Sequence, residues 1–261
     1  MRNFIFFFFL FFLLPAISIG QQTKIDSLLS FVKNAPDDTV KVNASNALSR
    51  EYRAVSNAGA ALHYAQLSKE LAERIQLPDE KERGWSKGIA NSLGNMGIIC
   101  FNQGNFKKAF EYHTQALKIR EKIEDKIGIG NSYNNLGINY SNLGNIEKAF
   151  ECHLKSLKMM EEIGFKSGMG NSYTNIGLLY SDQENYDEAL KYLYKSLEIG
   201  EQLNDKLFIS ICYNNIGLQY ENQGKLASSN TMANDKYQKA LTSHLKSLKI
   251  GDEIGNKRGT G

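Results

Sequence analysis

The chain has 261 residues, a length that holds one large domain or two small ones, with 42% hydrophobic and 23% charged residues. Both fractions are ordinary for a folded protein, which excludes wholesale disorder, and a net charge of +3 gives no electrostatic footprint for nucleic acid or an anionic membrane. Three cysteines cannot close a disulfide framework, and three prolines leave long stretches free to be helical.

Residues 1–20 read as an export signal. Arg2 gives a positive start, Phe4 to Leu14 is an unbroken apolar run, and Pro15 ends it. Ser18-Ile19-Gly20 then offers small residues where signal peptidase cuts, ahead of Gln21. The run falls short of the roughly 18 residues that a membrane-spanning helix needs; an uncleaved N-terminal anchor is the alternative. The expected compartment is extracytoplasmic or periplasmic. No cysteine near the cleavage site supports a lipid anchor, and Cys100, Cys152 and Cys212 lie too far apart for a metal spacing. They are expected to fill the core.

Residues 21–86 are predicted to form an N-terminal cap and a degenerate first repeat. Ile25 to Val32 is the capping helix, and Asn46 to Tyr52 followed by Ala61 to Tyr64 is the repeat. A longer link, Gln76 to Ser86 with Pro78, follows. The chain then becomes periodic. The blocks 87–126, 127–166 and 167–206 align without gaps, and a fixed period of this size marks a stacked array of helical units. A fourth, 207–257, carries extra polar residues at about 225–235, expected to lengthen a turn between helices. Residues 258–261 match the opening of a further repeat, so a longer protein is expected, with exposed-end pairing as the rival.

Each block reads as two helices. Tyr133, Leu136, Gly137 and Tyr140 share one face of the first, and Ile146, Ala149, Phe150, His153, Leu154 and Leu157 share one face of the second. Gly144-Asn145 and Gly104-Asn105 are a helix stop followed by a cap. Glu184-Asn185 lacks the glycine, so its turn is expected to be costlier or differently shaped. Gly97, Gly137, Gly177 and Gly217 form one column, and Ala109, Ala149, Ala189 and Ala240 another, as where two helices cross closely.

The frame Tyr133-x-x-Leu136-Gly137-x-x-Tyr140, followed by Ala149 and Ser156 and recurring in phase over roughly residues 37–257, resembles the tetratricopeptide repeat family in a 40-residue variety. The resemblance implies an all-α, right-handed α-solenoid of stacked antiparallel helix pairs. One departure is that Glu121, Glu161 and Glu201 stand where the family often has proline. The arrangement of signal, weak first repeat and regular blocks also resembles the extracytoplasmic regions of Bacteroidetes-type sensor kinases and regulators.

In proteins of this kind the exposed face of the first helix lines a concave groove. That face here carries Asn95, Asn135, Asn175 and Asn215 in one column and Asn91, Asn131 and Asn171 in another, flanked by Asn134, Asn214 and Thr174. An amide both donates and accepts, so a ladder of amides suits the backbone of an extended peptide. The column Gly94, Asn134, Thr174, Asn214 holds no basic residue, which disfavours the grip on a C-terminal carboxylate that some members of the family use.

No catalytic constellation emerges. His113, His153 and His244 share a column with Leu193, and a metal or catalytic role would not alternate with leucine. Glu161-Glu162 is a solvated helix end, and Gly128-x-Gly130 and Gly168-x-Gly170 lack the strand and third glycine of a nucleotide loop. The expectation is a non-enzymatic scaffold with no cofactor or metal. Its partner is a protein or extended peptide in the groove, not nucleic acid, and membrane attachment would come only from a downstream segment. It would be the sensor or interaction part of a membrane signalling protein, or else a periplasmic adaptor that self-associates through its C-terminal helix.

Overall fold

The computed structural model describes residues 19–75 and 85–259, which form eleven helices and no strand. Most of the expected export signal, most of the link after Ile75, and residues 260–261 lie outside the described residues. The helices are α1 (Ile19–Asn34), α2 (Thr39–Ala54), α3 (Ala58–Arg74), α4 (Ser86–Asn102), α5 (Phe106–Lys122) and α6 (Lys126–Asn142). They continue as α7 (Ile146–Glu162), α8 (Lys166–Asp182), α9 (Tyr186–Gln202), α10 (Lys206–Leu226) and α11 (Asn230–Gly259). Each helix packs on the next, and α2, α4, α6 and α8 also touch one another in series. The result is an α-solenoid of antiparallel pairs whose first helices form one continuous layer.

The first helices are poor helix formers. α6 contains Gly128, Gly130 and Gly137, so its stability comes from burial rather than propensity. Its partner α7 adds an exposed i,i+4 pair, Lys155 to Glu151 at 2.6 Å, a minor contribution. Between helices the chain turns through a left-handed residue every twentieth position: Gly104, Glu124, Gly144, Gly164, Glu184 and Asn204. The next residue, Asn105, Asp125, Asn145, Asn185 or Asp205, accepts a backbone N–H from the first turn of the new helix. Phe165 is the exception and makes no such cap. Glu184, at φ 59°, closes its turn with the same Asn185 to Tyr180 backbone bond of 2.9 Å that Asn145 makes to Tyr140. That turn is therefore strained but not reshaped.

The glycine column serves a purpose that the spacing alone does not reveal. A Cβ at Gly137 would lie 2.6 Å from the His153 ring, and one at Gly217 would lie 2.6 Å from the His244 ring. Gly97 makes the same room for His113. At Gly177, opposite Leu193, an added Cβ would meet Leu193 at 3.0 Å and the Ala189 carbonyl oxygen at 3.1 Å. His113 and His153 are buried, and burial pushes both imidazoles down to about 4, with the charge of Arg120 adding to the effect at His113.

Between repeats runs a seam of small polar groups. Ser92 donates to Ser68 at 2.9 Å, Ser172 to Ser156 at 3.1 Å, and Ser196 meets Cys212 at 3.4 Å. On the outer edge, Tyr133 and Tyr173 donate to Glu121 and Glu161 of the preceding helix, at 3.5 and 3.2 Å. Two of the glutamates that replace the family's proline thus tie neighbouring repeats together.

The polar insertion is not a longer turn, which corrects the expectation. Only residues 227–229 leave the helical state; α10 grows to 21 residues and α11 to 30. The inserted stretch has no proline, and Ser229 caps α11 by accepting from Met232. Lys239 pairs with Asp235 at 2.9 Å, and Gly224 lets the Tyr237 ring close on α10. The last helix also bares an apolar face. Leu241 and Leu248 are 52% and 61% exposed, whereas their counterparts Leu190 and Leu197 are 8% and 6% exposed beneath α10.

Candidate functional site

A first helix in the middle of the stack is covered on three sides: by its own second helix, by the preceding repeat and by the following one. What remains open is a narrow strip at i, i+4, i+7. In α6 this strip is Asn131, Asn135 and Ile138, in α8 it is Asn171, Asn175 and Leu178, and in α10 Ile211, Asn215 and Leu218. Laid side by side, the strips of α4, α6 and α8 line a cavity of about 460 Å³. Asn91, Asn95, Asn131, Asn134, Asn135, Asn171 and Asn175 all border it, with Ile98 and Ile138 as apolar rungs. Asn214 and Asn215 lie further along α10 and are not among its lining.

The amides differ in how free they are. Asn95 is 8% exposed and donates to the Asn46 side chain at 2.9 Å. Asn134 is 7% exposed; its Oδ1 lies 2.9 Å from His153 Nδ1, and its Nδ2 donates to Ser172 at 3.2 Å. These two side chains are joints of the solenoid rather than open groove residues, a correction to their placement on an exposed face. The reason is the three-sided cover: position 134 points towards the following repeat. Asn135, Asn175 and Asn215 are half-buried, while Asn131, Asn171 and Asn214 are exposed.

The groove also holds two cations that the reading of the first helices missed, Arg50 and Arg120. Arg50 comes from α2. Arg120 comes from the last turn of α5, where a basic residue is ordinary. Its column gives the signal: the equivalents in the following repeats are Met160, Gly200 and Gly251, so it is the one charge there. Arg120 is 7% exposed. It donates to Ser132 at 2.7 Å and to the Gly128 carbonyl oxygen at 3.2 Å, and Nη2 donates to Asn91 at 3.2 Å. Ala116 stands where the other repeats place a seam serine, and the guanidinium serves Ser132 in its stead. Chemically, the groove offers amide donors and acceptors, aliphatic rungs and a buried cation. Among the described residues, no three His, Cys, Asp or Glu side chains gather to hold a metal.

A family model described as tetratricopeptide repeat matches residues 88–162 and 168–235, more than half of the chain. No curated protein matches the sequence. Several solved structures match the fold. BtubC (BKLC) from P. vanneervenii aligns with a TM-score of 0.65 at 18% identity, over 90% of this chain and 92% of that one. Aspartyl phosphate phosphatase F from Bacillus subtilis aligns at 0.63 and 13%, over 88% and 68%. A signal transduction ATPase with numerous domains and a tetratricopeptide repeat sensor, from Pyrococcus horikoshii, aligns at 0.60 and 17%, over 91% of this chain and 41% of that one. At these identities the likeness is one of fold alone.

Proposed function

The chain belongs to the tetratricopeptide repeat family, a fold suited to protein interaction, and from that premise we propose that it is a non-enzymatic scaffold holding an extended segment of a partner protein in its asparagine groove. The observation that carries this reading is the strip pattern. Open amides at Asn131, Asn135, Asn171 and Asn175 alternate with Ile138 and Leu178. An extended peptide presents backbone donors and acceptors between its side chains, so amides take the backbone and aliphatic rungs take the side chains.

The wider setting belongs to the same proposal. The N-terminal charge, apolar run and small residues direct the scaffold out of the cytoplasm. There it acts as the sensing or interaction part of a membrane signalling protein. The tetratricopeptide repeats of the P. horikoshii protein are named a sensor, which supports this assignment. A photo-crosslinking side chain at Asn135, in the full chain in its own cells, tests the groove. A discrete protein adduct that is absent when the same group replaces Tyr194 supports the reading; equal labelling from both positions counts against it. The N-terminal sequence of the purified protein tests export, with Gln21 as the expected first residue.

A second reading, self-association as a periplasmic adaptor, rests on the exposed Leu241 and Leu248 of α11. Sedimentation separates the two: under this reading Leu241→Ser with Leu248→Ser turns an oligomer into a monomer, and a wild type already monomeric at high concentration removes it.

A further inference from the structure

Arg120 is a desolvated cation, and the one carboxylate whose charge it feels, Asp125, stands on its Nε side and does not line the groove. None of the described residues that line the groove is acidic. Asp125, whose charge is felt at Arg120, spends an oxygen on capping α6 through the Gly128 N–H and makes no ion pair with it. The hydrogen bonds of Arg120 all go to neutral acceptors, and its buried Nε has no partner. A buried guanidinium whose Nη groups meet only neutral acceptors can still take an anion on that edge.

The groove wall opens above it. At the column that elsewhere holds Asn134, Thr174 and Asn214, this repeat has Gly94. A Cβ at Gly94 would sit 3.4 Å from Nη2, so a longer side chain there would lie over the guanidinium. Glycine and arginine thus form a window: the cation is held beneath the floor by Ser132 and Asn91, and the lid present in other repeats is missing. Arg50, exposed and also bordering the groove, adds a second positive charge.

We propose that this window reads an acidic side chain of the bound peptide, an aspartate or glutamate whose carboxylate accepts from Arg120 Nη2 over Gly94. The proposal rests on the peptide-groove reading above and adds a specificity to it. Arg120 lies on a second helix beneath the layer of first helices, so the acidic side chain must reach down between rungs. Glutamate, with the longer stem, is the better fit.

Two degenerate fluorescein-labelled nonapeptide pools test it, both C-terminally amidated, with uncharged flanking positions and a fixed central Glu or Gln, and a third, Gln-centred pool with a free C terminus is the control. The wild-type chain is expected to prefer the Glu pool by about tenfold, the scale of one charge-assisted hydrogen bond set. Two variants that keep Arg120 in place should abolish the preference. Asn91→Asp supplies the counterion from within the chain, and Gly94→Asn restores the lid. The readout is the ratio of Glu-pool to Gln-pool binding on each variant, since both positions line the groove, and circular dichroism melts show that the variants are folded. Equal binding of both pools by the wild type overturns the acidic window while leaving the groove standing. Binding of neither pool removes the peptide groove and the window together. A preference that survives both substitutions places the acid elsewhere and overturns the assignment to Arg120. Tighter binding of a Gln-centred pool with a free C terminus than of the Glu pool also overturns it, in favour of a chain end.

Discussion

The imidazole of His153 lies against the backbone of Gly137, so closely that a single methyl at 137 would meet the ring at 2.6 Å. His153 is 1% exposed and is held by Asn134, so it has nowhere to go. Gly137→Ala should therefore destabilise the protein by about 1–2 kcal/mol, overpacking outweighing the gain in helix propensity. Gly251→Ala, in α11 with open space around it, should instead stabilise by about 1 kcal/mol or less. Urea melts of the two variants check the sign. Equal shifts would mean that the ring and the glycine are not in contact in solution.

The two buried histidines make stability depend on pH. Their folded values, about 4, lie below the ordinary 6.5, so the native state refuses protons that the unfolded chain accepts. Stability is full above pH 6.5 and falls as the pH drops from there towards 4. At pH 5 the loss should be about 2 kcal/mol for each histidine. His153→Leu, which copies Leu193 in the next repeat, should remove about half of the fall. A urea midpoint unchanged between pH 7 and pH 5 would refute the burial argument.

The amides of the groove should divide into two classes. Asn135→Ala with Asn175→Ala removes open groups, so peptide binding should weaken about tenfold while the melting temperature stays within a degree or so. Asn134→Ala strips His153 and Ser172 of a buried partner and should cost about 1–3 kcal/mol of stability. Titration calorimetry and thermal melts on both variants decide. Unfolding of the double variant would show that those side chains are structural.

Glu184, like Glu124, bears backbone strain that Gly104, Gly144 and Gly164 avoid in the equivalent turns. Glu184→Gly should stabilise by about 0.5–1 kcal/mol, the relief of a left-handed non-glycine residue less the added freedom of the unfolded chain. The equivalent change at Gly144, Gly144→Glu, should cost a similar amount. Chemical denaturation checks both, and no difference between them would show that the turn is not held at positive φ.

The helix pairs were legible because two signals agreed: apolar positions at 3.6-residue spacing, and a stop-and-cap pair such as Gly144-Asn145 between them. The strip Asn131–Asn135 was legible for the same reason, as neighbours on one face. Asn134 was not, because its partner Ser172 is 38 residues away and a helical wheel shows only the helix itself. Arg120 was masked by its position, since a cation in a last turn is unremarkable until its column is compared. The insertion misled by composition. Serine and asparagine suggested a loop, yet a helix already anchored at Tyr237 and Ala240 extends backwards at little cost once Ser229 caps it.

A groove built of like rungs has a difficulty of its own. A strand that fits one set of amides fits the next set equally well, so it can slide by a repeat and still be satisfied. The Gly94–Arg120 pair occurs once in the stack, with Met160 and Gly200 at the steps that follow. It gives the ruler a zero mark. A partner engaged there is held at a single offset, which an otherwise repetitive surface does not define.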